Sequence, residues 1–162
     1  MANTLLLTSK EIEEIFQRHN KTIFRVCFSY LKNTADCEDV VQDTFCQLIS
    51  HHPVFASDEH EKAWLIRTAS NLCKNKLKHW WRKHEDLDDY QEFVAKPTNE
   101  EQGILELVFN LPEKLKTVVY LYYYEGYNSR EVAQLLKKPE STIRNQLSEA
   151  RQRLKEVLGE SI

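Results

Sequence analysis

Glycine is almost missing from this chain. Gly103, Gly126 and Gly159 are the only three in 162 residues. Phosphate-cradling loops and dinucleotide folds need clustered glycines so that backbone can approach phosphate, and this scarcity argues against both. It argues equally against a turn-rich β fold. No apolar run is long enough to cross a bilayer, and the opening Met1-Ala-Asn-Thr-Leu-Leu-Leu is too short for a secretory signal. A cytoplasmic protein with no membrane insertion is the expectation. Cys27, Cys37, Cys46 and Cys73 never fall in a CxxC spacing, so buried thiols are expected in place of a zinc site. His51-His52 and His79 with His84 lack the closely spaced cysteines that a structural metal site needs. No Ser/His/Asp arrangement is apparent, and Asp58-Glu59-His60 has no supporting context. No enzyme, metal or cofactor is therefore expected.

What the chain does have is helical periodicity, in a composition that is 41% hydrophobic and enough for a packed core. No repeat of 20–50 residues is apparent. Net charge is −3, which looks wrong for a nucleic-acid binder, but the charge is sorted along the chain. Residues 1–61 are acidic on balance. Lys62, Arg67, Lys74, Lys76, Lys78, Arg82 and Lys83 come next, with no acid among them through residue 84. Residues 85–106 carry eight acids against the single Lys96, and the remainder is slightly basic.

Taken in order, Thr8 and Glu11 read as a capping box opening a helix to Leu31. Ile12, Ile15, Phe16, Ile23, Cys27 and Tyr30 recur near helical period along it. Asn33-Thr34 marks a turn. A second helix runs from about Asp36 to Ser50, with Asp36, Glu38 and Asp39 in the first turn, where the helix dipole favours negative charge. Val41, Phe45, Leu48 and Ile49 form its apolar stripe, and Asp39, Gln42, Asp43 and Cys46 lie on other faces. That outer face reads either as a solvated surface or as a docking surface for a basic partner. A third helix spans about Glu59 to Lys83. Trp64, Leu65, Ile66, Ala69, Leu72, Cys73 and Leu77 supply its core. Arg67, Asn71, Lys74, Asn75, Lys78 and Arg82 make a basic ridge suited to a nucleic-acid backbone and unstacked bases. Residues 84–106, with Pro97 and Gly103, read as an acidic linker.

Beyond it Ile104, Leu105, Val108 and Phe109 pattern as one helix. Pro112 opens another, with Leu115, Val118, Val119 and Tyr122 on one face and Gly126 past its end. Asn128 with Glu131 is a second capping box, and Val132, Ala133, Leu135 and Leu136 give the helix it opens an apolar side. Lys137-Lys138-Pro139 breaks that helix. A last helix aligns Ile143, Leu147, Ala150 and Leu154 on one stripe. Ser141, Arg144, Asn145, Ser148, Arg151, Gln152 and Lys155 fall on other faces. Such an outer face suits major-groove reading, although two amphipathic helices joined by a turn also pack in proteins that never touch DNA.

Three blocks, in this order, resemble bacterial RNA polymerase sigma factors of the extracytoplasmic-function type. They are DCEDVVQDTF at 36–45, AWLIRTASNLCKNKL at 63–77, and LPEKLKTVVYLYYYEGYNSREVAQLLKKPESTIRNQLSEARQRL at 111–154. The resemblance implies an all-α chain of two small helical domains joined by a flexible acidic linker. An N-terminal helical bundle over 1–84 docks core polymerase and melts the minus-ten element. A linker occupies 85–103. A C-terminal four-helix helix-turn-helix domain over 104–162 reads the minus-thirty-five element. It further implies docking to the β′ clamp helices and the β subunit through Asp39, Gln42, Asp43 and Phe45. Minus-ten contacts fall to Trp64, Arg67, Asn71, Lys74, Asn75 and Lys78, with the loop around Val54 to Glu59 capturing a flipped base. Minus-thirty-five contacts fall to Ser141, Thr142, Arg144, Asn145, Gln146, Ser148 and Arg151. Partners are core polymerase and promoter DNA. Members of the family are often held inactive by an anti-sigma factor, which makes one a candidate partner here.

The chain departs from the family pattern in places. Cys37 stands where alanine is usual. Asn145, Gln146 and Glu149 replace residues that are often Ser, Arg and Arg, which makes the last helix less basic. Leu65 follows Trp64 where housekeeping members carry a second tryptophan, which implies strict promoter dependence. Trp80-Trp81 fits no family pattern; packing is expected. A stand-alone helix-turn-helix regulator, usually a dimer on paired half-sites, is the rival reading. It leaves the docking block and the basic aromatic helix without a task.

Overall fold

The chain divides into two units, Met1–Gln91 and Glu92–Ile162. A computed structural model describes residues 8–51, 53–83 and 100–158. The expected linker lies, as far as residue 99, outside the described residues, as does the side chain of Trp81.

In the first unit α1 (Ser9–Leu31), α2 (Thr34–His51) and α3 (Asp58–Lys83) pack on one another pairwise. Each begins at a side-chain cap. Thr8 Oγ1 accepts from Glu11 N at 3.1 Å, Asn33 Oδ1 from Asp36 N at 3.1 Å, and Ser57 Oγ from His60 N at 3.1 Å. Lys32 ends α1 in the left-handed region at φ 57°, and the turn into α2 comes at once. The buried apolar side chains are Ile15, Ile23, Val26, Cys27 and Leu31 of α1, Cys37, Val40, Val41, Phe45 and Leu48 of α2, and Leu65, Ile66, Ala69 and Cys73 of α3. Each large one contributes about 1.5–3 kcal/mol by leaving water. Two residues of the expected stripes are exposed. Phe16 is 38% and Ile49 44% exposed, because both face a groove between α1 and α2 and not the core. Trp64, Leu72 and Leu77 are half-buried at the rim. Cys46 is exposed, unlike the other three thiols.

In the second unit α4 (Glu100–Phe109) packs on α5 (Glu113–Val119), and α5 and α6 (Ser129–Leu136) pack on α7 (Glu140–Leu158). Helix α4 starts at Glu100, four residues before its apolar pattern, since acids in a first turn suit the helix dipole as well as they suit a linker. After Val119 the α5 helix widens into a π turn over Tyr120–Tyr124, closed by Glu125 N on Tyr120 O at 3.1 Å. The extra residue in the turn rotates the side chains after it. Tyr120 and Leu121 are buried, and Tyr122, expected on the inner face, is half-buried. Gly126 then takes φ +83°, the left-handed residue expected past the helix end. Ile143, Leu147 and Ala150 of α7 are buried as the stripe requires, with Leu154 at its edge.

Candidate nucleic-acid interface

Three surfaces carry the expected residues, two on the first unit and one on the second. The first is the groove between α1 and α2, about 840 Å³, lined by Phe16 and Phe24 on one side and Val41, Phe45 and Ile49 on the other. Lys21, Arg25, Glu38 and Asp39 bring charge to its rim. Asp39, Gln42, Cys46 and Ile49 recur at spacings of three and four, so one exposed stripe of α2 runs along the groove. Asp43 is exposed but does not line it. Phe45 is not a projecting contact. It is 6% exposed and meets Phe16 edge to face, with ring centroids 5.0 Å apart, so it forms the floor. Asp39 Oδ2 and Asp36 Oδ1 lie 3.8 and 3.7 Å from Lys76 Nζ of α3, which ties the acidic start of α2 to the basic helix.

The second surface is that helix. Trp64, Arg67, Asn71, Lys74 and Lys78 recur every three or four residues and share one face of α3. Trp64, Arg67, Asn71 and Lys74 are half-buried; Asn75 and Lys78 are exposed. The loop before α3 lays rings against its first turns. Phe55 stands edge-on to Trp64 at 6.0 Å and to His60 at 5.4 Å, and His51 lies 6.5 Å from Trp64. Ala56 N–H donates to His60 Nδ1 at 3.0 Å, so the loop is pinned to the helix it precedes. Val54 at its tip is 74% exposed. Sequence reasoning named this loop but gave Phe55, His60 and His51 no part in it. An aromatic in a loop next to a proline was the signal available.

Glu61 was missed altogether. It is 6% exposed, receives two donors of Arg18 at 3.0–3.2 Å, and lies 2.7 Å from His19 Nε2. Its partners stand more than 40 positions away on α1, so no local pattern announces them. The cluster fixes the first turn of α3, and with it Trp64 and the aromatic loop.

The third surface is the helix-turn-helix. Asn128 caps α6 reciprocally with Glu131, both bonds at 2.9 Å. Lys137 closes α6 in the left-handed region at φ 56°. Lys138 in the turn is half-buried, and that desolvation lowers its pKa. On α7, Ser141, Arg144, Asn145, Ser148 and Arg151 are exposed and Thr142 is half-buried. Gln146 departs from the expectation: its Oε1 is buried without a hydrogen-bond partner, so its amide turns inward at the edge of the apolar stripe. Arg151 Nε donates to Tyr123 Oη at 2.6 Å, which raises its pKa further and draws the guanidinium towards the π turn. Arg144 Nη1 donates to Glu140 Oε1 at 3.1 Å. Among the described residues, no three His, Cys, Asp or Glu side chains are grouped to hold a metal ion, and no helix is long and apolar enough to cross a membrane.

The first unit's helices carry the pattern of sigma-70 region 2, matched over residues 15–84, and the second unit's that of sigma-70 region 4, over 102–154. The chain is 27% identical to the ECF RNA polymerase sigma-E factor of Haemophilus influenzae, across 90% of this chain and 93% of the relative. It is 25% identical to the ECF RNA polymerase sigma factor SigM of Bacillus subtilis, across 93% and 97%. Its fold is similar to the sigma factor RpoE of Bartonella quintana, solved in complex with the anti-sigma factor NepR. That likeness has a TM-score of 0.77 at 21% identity and covers 94% of this chain and 99% of the other. It is also similar to CnrH, solved with the cytosolic domain of CnrY, with a TM-score of 0.66 at 19% identity and 99% and 96% covered. With both regions matched in order, over well more than half of its length, the chain belongs to the sigma-70 family, in the extracytoplasmic-function group.

Proposed function

We propose that this protein binds core RNA polymerase and directs it to specific promoters, its two units reading the two promoter elements in one act of initiation. The observation that carries the reading is the presence of region 2 and region 4 in order on one chain, with a basic helix ridge in the first and a capped helix-turn-helix in the second. The groove of α1 and α2 docks the polymerase, with Asp39 and Gln42 on its rim and Phe45 beneath. Trp64, Arg67, Asn71, Lys74, Asn75 and Lys78 hold the melted minus-ten strand. Ser141, Thr142, Arg144, Asn145 and Ser148 face the minus-thirty-five element, and Arg151 reaches its backbone. Residues 1–84 and 104–162 divide that labour across the segment 85–103. The protein works in the cytoplasm, and the reading asks no catalysis of it. Two solved structures of similar fold hold partners named with them, an anti-sigma factor in one case, and such a partner for this chain is part of the proposal.

Run-off transcription with purified core polymerase on a pooled promoter library tests the whole. New start sites that depend on this protein and share two sequence elements are the expected result. Sequence-specific binding by the protein alone, with no transcripts, would move the reading to a stand-alone regulator. For docking, Asp39→Arg should abolish core binding while circular dichroism stays unchanged. Core affinity equal to that of the parent would remove Asp39 from the interface.

A further inference from the structure

Helix α7, which must approach phosphates, begins with a carboxylate. Glu140 suits the dipole of its own helix but is repelled by a DNA backbone. As an i,i+4 partner of Arg144 alone it would be a weak surface pair. A third residue sets it apart. The same oxygen, Glu140 Oε1, accepts from Arg144 Nη1 at 3.1 Å and from Ser129 Oγ at 3.3 Å. Ser129 is the first residue of α6, and Asn128 before it is locked by both halves of the capping box. The carboxylate is thus held from two helices, and it holds the arginine. An arginine that reads guanine must bring two donors to O6 and N7 in one plane. A carboxylate fixed behind the guanidinium supplies that aim before DNA arrives.

We propose that Glu140 is a positioning residue that sets promoter specificity: anchored by Ser129, it aims Arg144 at one base pair of the upstream element. This rests on the reading of α7 as the recognition helix. It has a signature that a merely structural role lacks. Removing the carboxylate takes a negative charge away from the phosphates, so binding to all sequences holds or tightens while discrimination falls. Loss of helix structure would lower both together.

The test uses the full chain bound to core polymerase, on a promoter recovered by run-off transcription with its upstream element randomised. Bound and free pools are sequenced. Arg144→Ala should flatten preference at one base pair. Glu140→Ala and Ser129→Ala should flatten that same pair, Glu140→Ala by about tenfold and Ser129→Ala by less, with the other positions unchanged. The double variant of Glu140 and Arg144 should flatten it no further than Arg144→Ala does. Glu140→Gln keeps an acceptor oxygen and should retain part of the preference, which guards against a folding defect. Unchanged discrimination in Glu140→Ala beside a flattened Arg144→Ala would overturn the positioning role and leave the helix reading intact. Flattening at a different pair would make Glu140 a reader of cytosine in its own right and also overturn it. No effect of Arg144→Ala at any position would remove the helix reading, and the inference with it.

Discussion

A carboxylate cut off from water must be compensated, and Glu61 is compensated by two residues of another helix. Removing it strands a buried histidine, while Arg18, about half exposed, can return to solvent. Glu61→Ala should therefore cost about 2 kcal/mol, below the full penalty of breaking a buried pair. Urea unfolding followed by helicity reads it, and a loss under about 0.5 kcal/mol would show that the cluster is ornamental. The thiols make a second test at this scale. The buried thiols of Cys27 and Cys73 share a hydrogen bond, which raises the pKa of Cys27 together with desolvation; burial raises that of Cys37. Thiolate is the reactive form, so raised values leave Cys27 and Cys37 protonated and slow across neutral pH, and Cys73 is shielded by burial. Cys46 is exposed at the groove of α1 and α2. A maleimide should label Cys46 alone in the folded protein, and saturating core polymerase should protect it. Labelling that core polymerase leaves untouched would place the polymerase elsewhere.

At the scale of elements, two glycines with equally open surroundings should respond in opposite senses. A Cβ at Gly103 or at Gly126 meets nothing within 4 Å, so sterics with neighbours decide neither. Gly103 lies inside α4, where alanine removes disorder from the unfolded chain and should stabilise by about 0.5–1 kcal/mol. Gly126 sits at φ +83°, where alanine is strained and should destabilise by about 1 kcal/mol. Thermal unfolding of the two variants checks the sign of each, and a stabilised Gly126→Ala would mean that the turn after the π segment rearranges freely. Elements were also where the sequence was most legible. Caps at Thr8 and Asn128, the break at Lys137-Lys138-Pro139 and the stripe of Ile143, Leu147 and Ala150 are local signals, written within a few residues of the structure they cause. The π turn was not legible, because a run of tyrosines is compatible with either helical pitch, and the contact that goes with the wider one, Tyr120 stacked on Phe109 of α4, joins separate elements. The same limit hid the site's supports. Spacing placed Arg144 and Trp64 on their helices, but Ser129 behind Glu140, Phe55 beside Trp64 and Arg18 on Glu61 are contacts between elements. Exposure was misjudged for Phe16 and Ile49 because helical period assigns a face without saying whether a core or a groove lies opposite.

Across the molecule, each unit closes its own apolar core, so each is expected to unfold as a cooperative body of its own. Two transitions, in place of one two-state step, are the prediction. Ser70 offers a way to see this. Its hydroxyl is buried in α3 with no hydrogen-bond partner, and Ser70→Ala removes that burden while favouring helix. It should stabilise the first unit by about 1 kcal/mol, which for a body of this size is roughly 4–8 °C in midpoint. Gly103→Ala acts in the second. Scanning calorimetry of the full chain should resolve two transitions, one moved upward by Ser70→Ala alone and the other by Gly103→Ala alone. Had both substitutions shifted one common transition, the units would be thermodynamically coupled, and a partner binding one of them would stiffen the other through the protein itself. With separate transitions, whatever links reading of the two promoter elements must be supplied by the polymerase and the DNA that both units grip.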